Sequence, residues 1–528
     1  MQGQGAALLA AGRFQEAMDA FRGQLRQQPD SVPARVGLAR ACIGTCDLPA
    51  CTAWLSDALR VAPDALEPAQ LLADVLLAQA LYAQALPAYL RLLERFQARS
   101  AANLLHAAYC HEQCGDIDAA AALYTQSVAA DPQLLEARVD LAGVLWRLQD
   151  FEGTLLHARK AVELAPEHAY AQRILGMALL NLNRLDEAER HLRRALALQP
   201  GLNLAELDLA FTLLLAGRLE EGWPLYEKRW VDAQRMPRPP FFQPSAEWPG
   251  PHAPLAGKAI AVYSEQGLGD VIQFLRYLPR LQALGAQVCC AVQPELVPLV
   301  EASFPGVQCV GPGREMRVQA HVAVVELAGR FGTTLETIPA PACYLQPPAA
   351  ARAKWRARLA PWAGQVKVGL AWSGSQRQVN NRNRAVPLSL LLPFTHMDGV
   401  QCFSLQKGDA GPWTDQPLPA QLVDLTAEWD DFADSAAMFE ELDLVITVDT
   451  AIAHLAGALG KPVWILLPPN ADWRWLLERE DSPWYPSARL FRRGFGEARE
   501  AQVQRVRAAF AAWLAARTLS PSRDTAAG

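Results

Sequence analysis

The stretch AYAQRILGMALLNLNRLDEAERHLRRALALQPGL, residues 169–202, decides the fold of the first half of the chain. Within it Gly176 is small, Leu185 apolar, Ala188 small again, and Pro200 closes the unit. Outward from Ala188 the same position recurs as Ala17, Cys51, Ala85, Ala120, Thr154 and Gly222, at successive gaps of 34 or 35 residues. Three residues before each stands an apolar side chain: Phe14, Leu48, Tyr82, Ile117, Phe151, Leu185 and Leu219. Twelve residues before each stands Gly or Ala: Gly5, Ala39, Ala73, Ala108, Ala142, Gly176 and Ala210. Twelve residues after come Pro29, Pro63, Pro132, Pro166 and Pro200, with Gln97 and Gln234 in the other two units. The small pair lets two antiparallel helices approach closely. The proline ends the second helix, because it lacks an amide donor and clashes with the preceding turn. The period predicts seven helix pairs over residues 1–235.

Helix pairs of this length and pattern resemble the tetratricopeptide repeat, which implies a helical solenoid with an extended concave groove. The resemblance implies that the groove holds a peptide or another protein, since such an array does no chemistry by itself. A structural spacer or dimerisation arm is the alternative use, and the sequence names no ligand.

The whole chain has 528 residues, 51% hydrophobic and 20% charged, which fits a globular protein of two or three domains. Lys and Arg total 49 against 55 Asp and Glu, a net charge of −6, which argues against a general nucleic-acid binder. No apolar run reaches the roughly 18 residues of a membrane-spanning helix, and MQGQGAALLAAGRF carries no basic region before its apolar stretch. A cytoplasmic protein with no membrane span and no secretion signal is therefore expected. The ten cysteines are expected to be free thiols. His106, Cys110, His111 and Cys114 have a spacing that could supply metal ligands, but His111 leaves the shared helix face. Thiols filling small buried positions are the better reading, and no metal is expected.

Past Tyr226 the period stops. Residues 236–257, MPRPPFFQPSAEWPGPHAPLAG, are proline-rich and predict a linker. Short β-branched runs then alternate with helical stretches. AIAVYS (259–264), QVCCAVQ (287–293) and HVAVVEL (321–327) predict one set of buried parallel strands. KVGLAWS (367–373), CFSLQ (402–406), DLVITVD (443–449) and PVWILLP (462–468) predict a second. Two doubly wound α/β lobes, 258–350 and 351–496, are expected, with a cleft at the strands' C-terminal ends. A closing helix is expected over 497–517, packed across the lobes, and a frayed tail over 518–528.

Three loops carry the chemistry. SEQGLGD, 264–270, follows a strand and opens the helical run DVIQFLRYLPRLQALG. Here Gln266, Gly267 and Gly269 lie at the turn, where glycines free backbone amides to face a ligand. Asp270 is the only aspartate between Asp232 and Asp398, placed where a carboxylate could take a proton from an attacking group. Capping its own helix is the other role open to it. In VDTAIAHLAGALGKP, 448–462, the amides of Thr450 and Ala451 with the Thr450 hydroxyl predict an anion site at a helix start. His454 lies one turn further in, either within reach of a phosphate or simply packed. WSGSQRQVNNRNRAVPL, 372–388, offers Arg377, Arg382 and Arg384 to a diphosphate. No Asp-x-Asp pair occurs from 233 onward, which disfavours a metal-bridged diphosphate.

EQGLGDVIQFLRYLP, VGLAWSG, RAVPL, FSLQKG, LDLVITVDTAIAHLAGALGKPVW and DWRWLLEREDSPWYPSARLFRR together resemble the catalytic part of bacterial tetratricopeptide-repeat glycosyltransferases. These are related to the heptosyltransferases (glycosyltransferase family 9) and, in overall plan, to O-linked N-acetylglucosamine transferase. The resemblance implies a GT-B fold and inverting, metal-independent transfer from a nucleotide sugar. By it Asp270 matches the proposed general base, and Asp449, Thr450, Ala451 and His454 match the phosphate-binding turn. Arg384, in R-x-x-P-L, aligns with the residue that contacts the donor diphosphate. Gln406 and Lys407 lie at an adjacent donor-side strand end, and Trp473 and Arg474 border the nucleotide or sugar. Relatives tend to read Gly-Asn-Pro-x-His and Asn-Asp-Arg-x-Arg-Ser after the tryptophan. Here Gly374-Ser375-Gln376-Arg377-Gln378 and Asn380-Asn381-Arg382-Asn383-Arg384-Ala385 stand instead, which leaves the donor open.

The expected function is transfer of a sugar from a nucleotide sugar to a protein acceptor, flagellin or another surface protein, held by the repeats. A lipopolysaccharide or other glycan acceptor is one alternative. A non-catalytic scaffold whose lobe only binds a nucleotide sugar is the other.

Overall fold

The computed structural model describes residues 3–231, 238–239, 242–310, 317–376, 378, 380–408 and 410–519. The chain divides into two compact units, Met1–Leu179 and Leu180–Gly528.

The first unit is built of helical hairpins at the predicted period: Gln4–Ala10 with Phe14–Gln27, Val32–Gly44 with Leu48–Val61, Leu66–Ala78 with Tyr82–Glu94, Ala101–Gln113 with Ile117–Ala130, and Leu135–Arg147 with Phe151–Leu164. The small residues that define the period are sealed inside: Ala17, Ala39, Cys51, Ala73, Ala85, Ala108, Ala120, Ala142 and Thr154 are all fully buried. Several hairpins are punctuated by side-chain caps. Asp47, Asp116 and Asp150 each accept an amide of the second helix's first turn, at 3.1, 3.2 and 2.9 Å. An Asp150→Ala variant is expected to lose about 1 kcal/mol of unfolding free energy in urea titrations, the usual value of such a cap.

In the His106–Cys114 segment the residues serve the hairpin. The Nδ1 atom of His106 lies 3.1 Å from the Tyr89 hydroxyl, and Nδ1 of His111 lies 3.3 Å from Asp116. Cys110 is buried, and burial pushes its thiol up to about 11.

The second unit opens with the end of the array, Leu185–Leu198, Asn203–Leu215 and Leu219–Tyr226. Two parallel sheets follow. The first orders its strands β3-β2-β1-β4, where β1 is Ala259–Tyr263, β2 Gln287–Ala291, β3 Gln308–Cys309 and β4 Ala320–Ala323. The second orders them β10-β9-β8-β5-β6-β7, where β5 is Val366–Ala371, β6 Val400–Ser404, β7 Leu422–Asp424, β8 Leu444–Val448, β9 Val463–Leu467 and β10 Ala488–Arg492. Strand β8 is buried along its whole length, the continuous apolar reading of a strand covered on both faces.

Three details depart from the sequence reading. The run HVAVVEL leaves the sheet at Ala323, and Val324–Glu326 continue as a 3-10 turn. The helix expected from Asp270 to Gly285 is broken, Leu268–Phe274 giving way to a 3-10 turn at Leu275–Tyr277 before Leu278–Ala283. Pro279, with no amide to donate, sits at the start of that last segment. The C-terminal helix, Arg499–Leu519, joins Val503, Val506 and Phe510 to a core made of second-sheet residues rather than bridging the lobes. Gln502 ties it there, donating to the Leu467 and Phe491 carbonyls at 2.9 and 2.7 Å.

Part of the proline-rich segment lines the first sheet's edge. The Trp248 amide donates to the His321 carbonyl at 2.8 Å, and its indole is buried. The tail beyond residue 519, residues 311–316, Arg377 and most of 232–241 lie outside the described residues. No helix among the described residues is long and apolar enough to cross a membrane.

Candidate active site

In both sheets the strand order reverses once, between β1 and β4 in the first and between β5 and β8 in the second. In open parallel sheets a crevice opens outside the strands' C-terminal ends at such a point. The loops singled out by sequence leave from there: 264–270 follows β1, 372–384 follows β5, and 449–454 follows β8.

The loop after β1 meets the helix after β8 directly. A Cβ placed on Gly269 would stand 2.7 Å from His454 Cδ2 and 3.4 Å from Ala451 Cα, so only glycine allows the two helix starts to touch. A Gly269→Ala variant is expected to lose about 1–3 kcal/mol of stability, read by urea unfolding, because His454 is itself packed and has little room to withdraw. The helix Ala451–Ala458 begins at Thr450, whose hydroxyl accepts the Ile452 amide at 3.2 Å.

His454 is a wall of this contact. Its ring stacks on Trp475 at 5.4 Å between centroids, and Nδ1 lies 2.8 Å from the Tyr485 hydroxyl. Burial, with Arg474, Arg276 and Arg384 nearby, holds the imidazole well below its ordinary pKa, so it stands neutral. Its Nε2 lies 3.9 Å from Asp449 Oδ1, so the packed ring also borders the turn after β8.

Asp270 does two things at once. Its Oδ2 accepts the Gly267 amide at 3.0 Å, capping its own helix, and its Oδ1 is paired with the Arg474 guanidinium. The Asp270 side chain keeps 24% of its surface exposed, whereas Arg474 keeps 6%. Burial raises the Asp270 carboxyl above the ordinary carboxylate value, with Arg474 pulling the other way. Arg474 also donates to Gln273 Oε1 at 2.6 Å and to Asp472 Oδ1 at 2.8 Å, linking the two lobes.

Arg384 reaches the same ground. It interacts electrostatically with Asp449, Asp472 and Asp270, and its Nε donates to Asn381 Oδ1 at 3.2 Å. Gly374 packs against its guanidinium, where any Cβ would meet Nη2 at 2.2 Å. Asn381 also accepts the Gly374 amide at 3.0 Å and donates to Ser373 Oγ at 3.1 Å. Gln406 closes this chain, its Oε1 accepting the Trp372 and Ser373 amides at 3.3 and 3.0 Å. Lys407 turns its ammonium to the Trp429 carbonyl. Arg382 is exposed.

Burial, helped by the charge of Asp472, pushes the Asp449 carboxyl up to about 6. The sign follows from the proton balance. Between about pH 4, the ordinary carboxylate value, and about pH 6 the folded chain binds a proton that the unfolded chain releases, so stability falls as pH rises through this window. An Asp449→Asn variant is expected to flatten that fall, measured as melting temperature against pH.

The sequence reading missed several members. Tyr226 brings its hydroxyl to the Gln266 side-chain amide, whose Nε2 donates to it at 3.0 Å. Trp223, likewise unforeseen, joins Tyr226 in packing edge-on against Trp473, a residue the sequence did single out, at 5.4 and 6.1 Å between centroids. Arg229 is buried between Glu265 and Glu326, at 2.9 and 3.0 Å. Asp472 and Gln273 complete the clasp on Arg474. Apart from Asp472, two residues before Arg474, these partners lie far apart in sequence, so no spacing points to them.

With this geometry in view, the N-terminal region is a tetratricopeptide-repeat array: that repeat family matches residues 8–70, 71–134 and 136–203. Protein FlbA of Caulobacter vibrioides (strain ATCC 19089 / CIP 103742 / CB 15) is 29% identical over 396 residues, covering 69% of this chain and 65% of that protein's length. Similar solved structures include YrrB, a TPR protein with an unusual peptide-binding site, at 18% identity and a TM-score of 0.33, covering 36% of this chain and 96% of that one. MamA from Desulfovibrio magneticus RS-1 is another, at 16% identity and a TM-score of 0.30, covering 32% and 94%.

Proposed function

We propose that the chain is an inverting, metal-independent glycosyltransferase of GT-B fold that moves a sugar from a nucleotide sugar to a protein acceptor docked on the repeats. One observation carries the reading. The carboxylate of Asp270, on the first sheet's side, converges with the Thr450 helix start and Arg384, on the second sheet's side. Asp270 removes a proton from the acceptor nucleophile as it attacks the anomeric carbon. Arg384 and the helix amides at Thr450 and Ala451 offset the charge on the departing diphosphate. The Arg474–Asp270 pair has to loosen for this, and Asp472 offers the guanidinium a second anchor. Because docking and chemistry lie on one chain, a captured acceptor reaches the site at high effective concentration. The chain's tetratricopeptide repeats fit the binding of another protein.

The test is incubation with a panel of nucleotide sugars and co-expressed candidate acceptors, flagellin and other surface proteins first, followed by intact-protein mass spectrometry. Covalent sugar adducts on an acceptor protein are expected. Adducts only on lipopolysaccharide or other glycan fractions would move the acceptor class. Donor binding without turnover would leave a scaffold.

A further inference from the structure

We infer that Tyr226, the last residue of the final repeat helix, is a positioning residue of the candidate active site, acting through the Gln266 side chain. The phenol ring is fixed on several sides. It is 5% exposed, packs edge-on against Phe211 and Trp473 at 5.7 and 6.1 Å, and carries the Arg229 guanidinium 5.1 Å above it. The ring therefore cannot swing, and the hydroxyl is the one directional group it presents. That hydroxyl meets Gln266, 3.0 Å from Nε2 and 3.3 Å from Oε1. Gln266 is held from the other end as well, its backbone carbonyl accepting Gln293 Nε2 at 3.1 Å. The next residue is Gly267, whose amide caps onto Asp270. Freeing the Gln266 side chain thus loosens the turn that aims the Asp270 carboxylate. The helix Leu219–Tyr226 is anchored to the same lobe by Trp223, whose indole donates to the Thr333 carbonyl at 2.9 Å. The repeats consequently contribute a residue to the site rather than ending short of it.

The kinetic consequence rests on the proposed transfer reaction, whereas the structural one does not. Tyr226→Phe keeps the ring packing and removes one hydroxyl. Hydrogen–deuterium exchange in the peptide spanning 264–270 is expected to quicken several-fold, with the melting temperature unchanged. Gln266→Ala should produce the same acceleration, and the double variant no more than either alone, as for two residues acting through one contact. In transfer assays Tyr226→Phe is expected to lower kcat about tenfold while KM for the nucleotide sugar holds, the pattern of a misplaced catalytic group. Unchanged exchange over 264–270 in Tyr226→Phe and Gln266→Ala would overturn the inference, as would quickened exchange with unaltered kcat. Quickened exchange in a chain whose unaltered form transfers no sugar would keep the positioning role and sink the transferase reading.

Discussion

Arg474→Met is expected to remove about 3–5 kcal/mol of unfolding free energy, the usual result of deleting one partner from a buried charge pair. The guanidinium is the cation on which Asp270, Asp472 and Gln273 all converge, and Met fills its volume without its charge. What remains is Asp270 beside Asp472, with Asp449 also within electrostatic range of Asp472. The Asp270 and Asp449 carboxyls, already raised, are then pushed further above the ordinary value of about 4. A carboxyl raised in the folded state binds protons that the unfolded state has released, so its penalty grows as pH rises through that window. The loss in Arg474→Met should accordingly be smaller near pH 5 than near pH 7.5. Urea unfolding at both values decides it, and an equal loss at each would remove the electrostatic explanation.

Asp270→Asn is expected to lower sugar transfer about a hundredfold to ten-thousandfold, the range of a lost general base. The amide oxygen still accepts the Gly267 amide, and Arg474 keeps Asp472, so the helix start and the clasp both survive. The Asn NH2 then faces the Arg474 guanidinium, donor against donor, so a modest drop in melting temperature is expected and transfer is compared below both melting points. Acceptor occupancy read by intact mass after co-expression is the measurement. Occupancy equal to that of the unaltered chain would mean that another group removes the proton.

The helical hairpins were legible because their signal is local and repeated: a small residue every 34 or 35 positions leaves little freedom to any other packing. The strands buried on both faces were legible as apolar runs, β8 most clearly. Strands β3, β7 and β10 were not, because β3 and β7 span only two and three residues and β10 carries arginines at both its second and last positions. The Asp270 and Thr450 loops could be read from their glycines and their place after strands. Their clasp could not, since Arg474 lies 204 residues from Asp270, and no spacing encodes a contact made by the fold. Tyr226 was hidden for a related reason. Its position sits inside a repeat, where an aromatic side chain is expected to face the neighbouring hairpin. In the fold its hydroxyl instead meets the Gln266 side chain.

The unit boundary at Leu179 has a practical corollary for anyone grafting these parts between relatives. Sequence periodicity invites a splice after Tyr226, which would carry away a side chain that the recipient's Gln266 counterpart needs. A chimaera joined upstream of Leu185 keeps the last three helices with the two sheets of the same unit, and exchanges only the repeat helices before them.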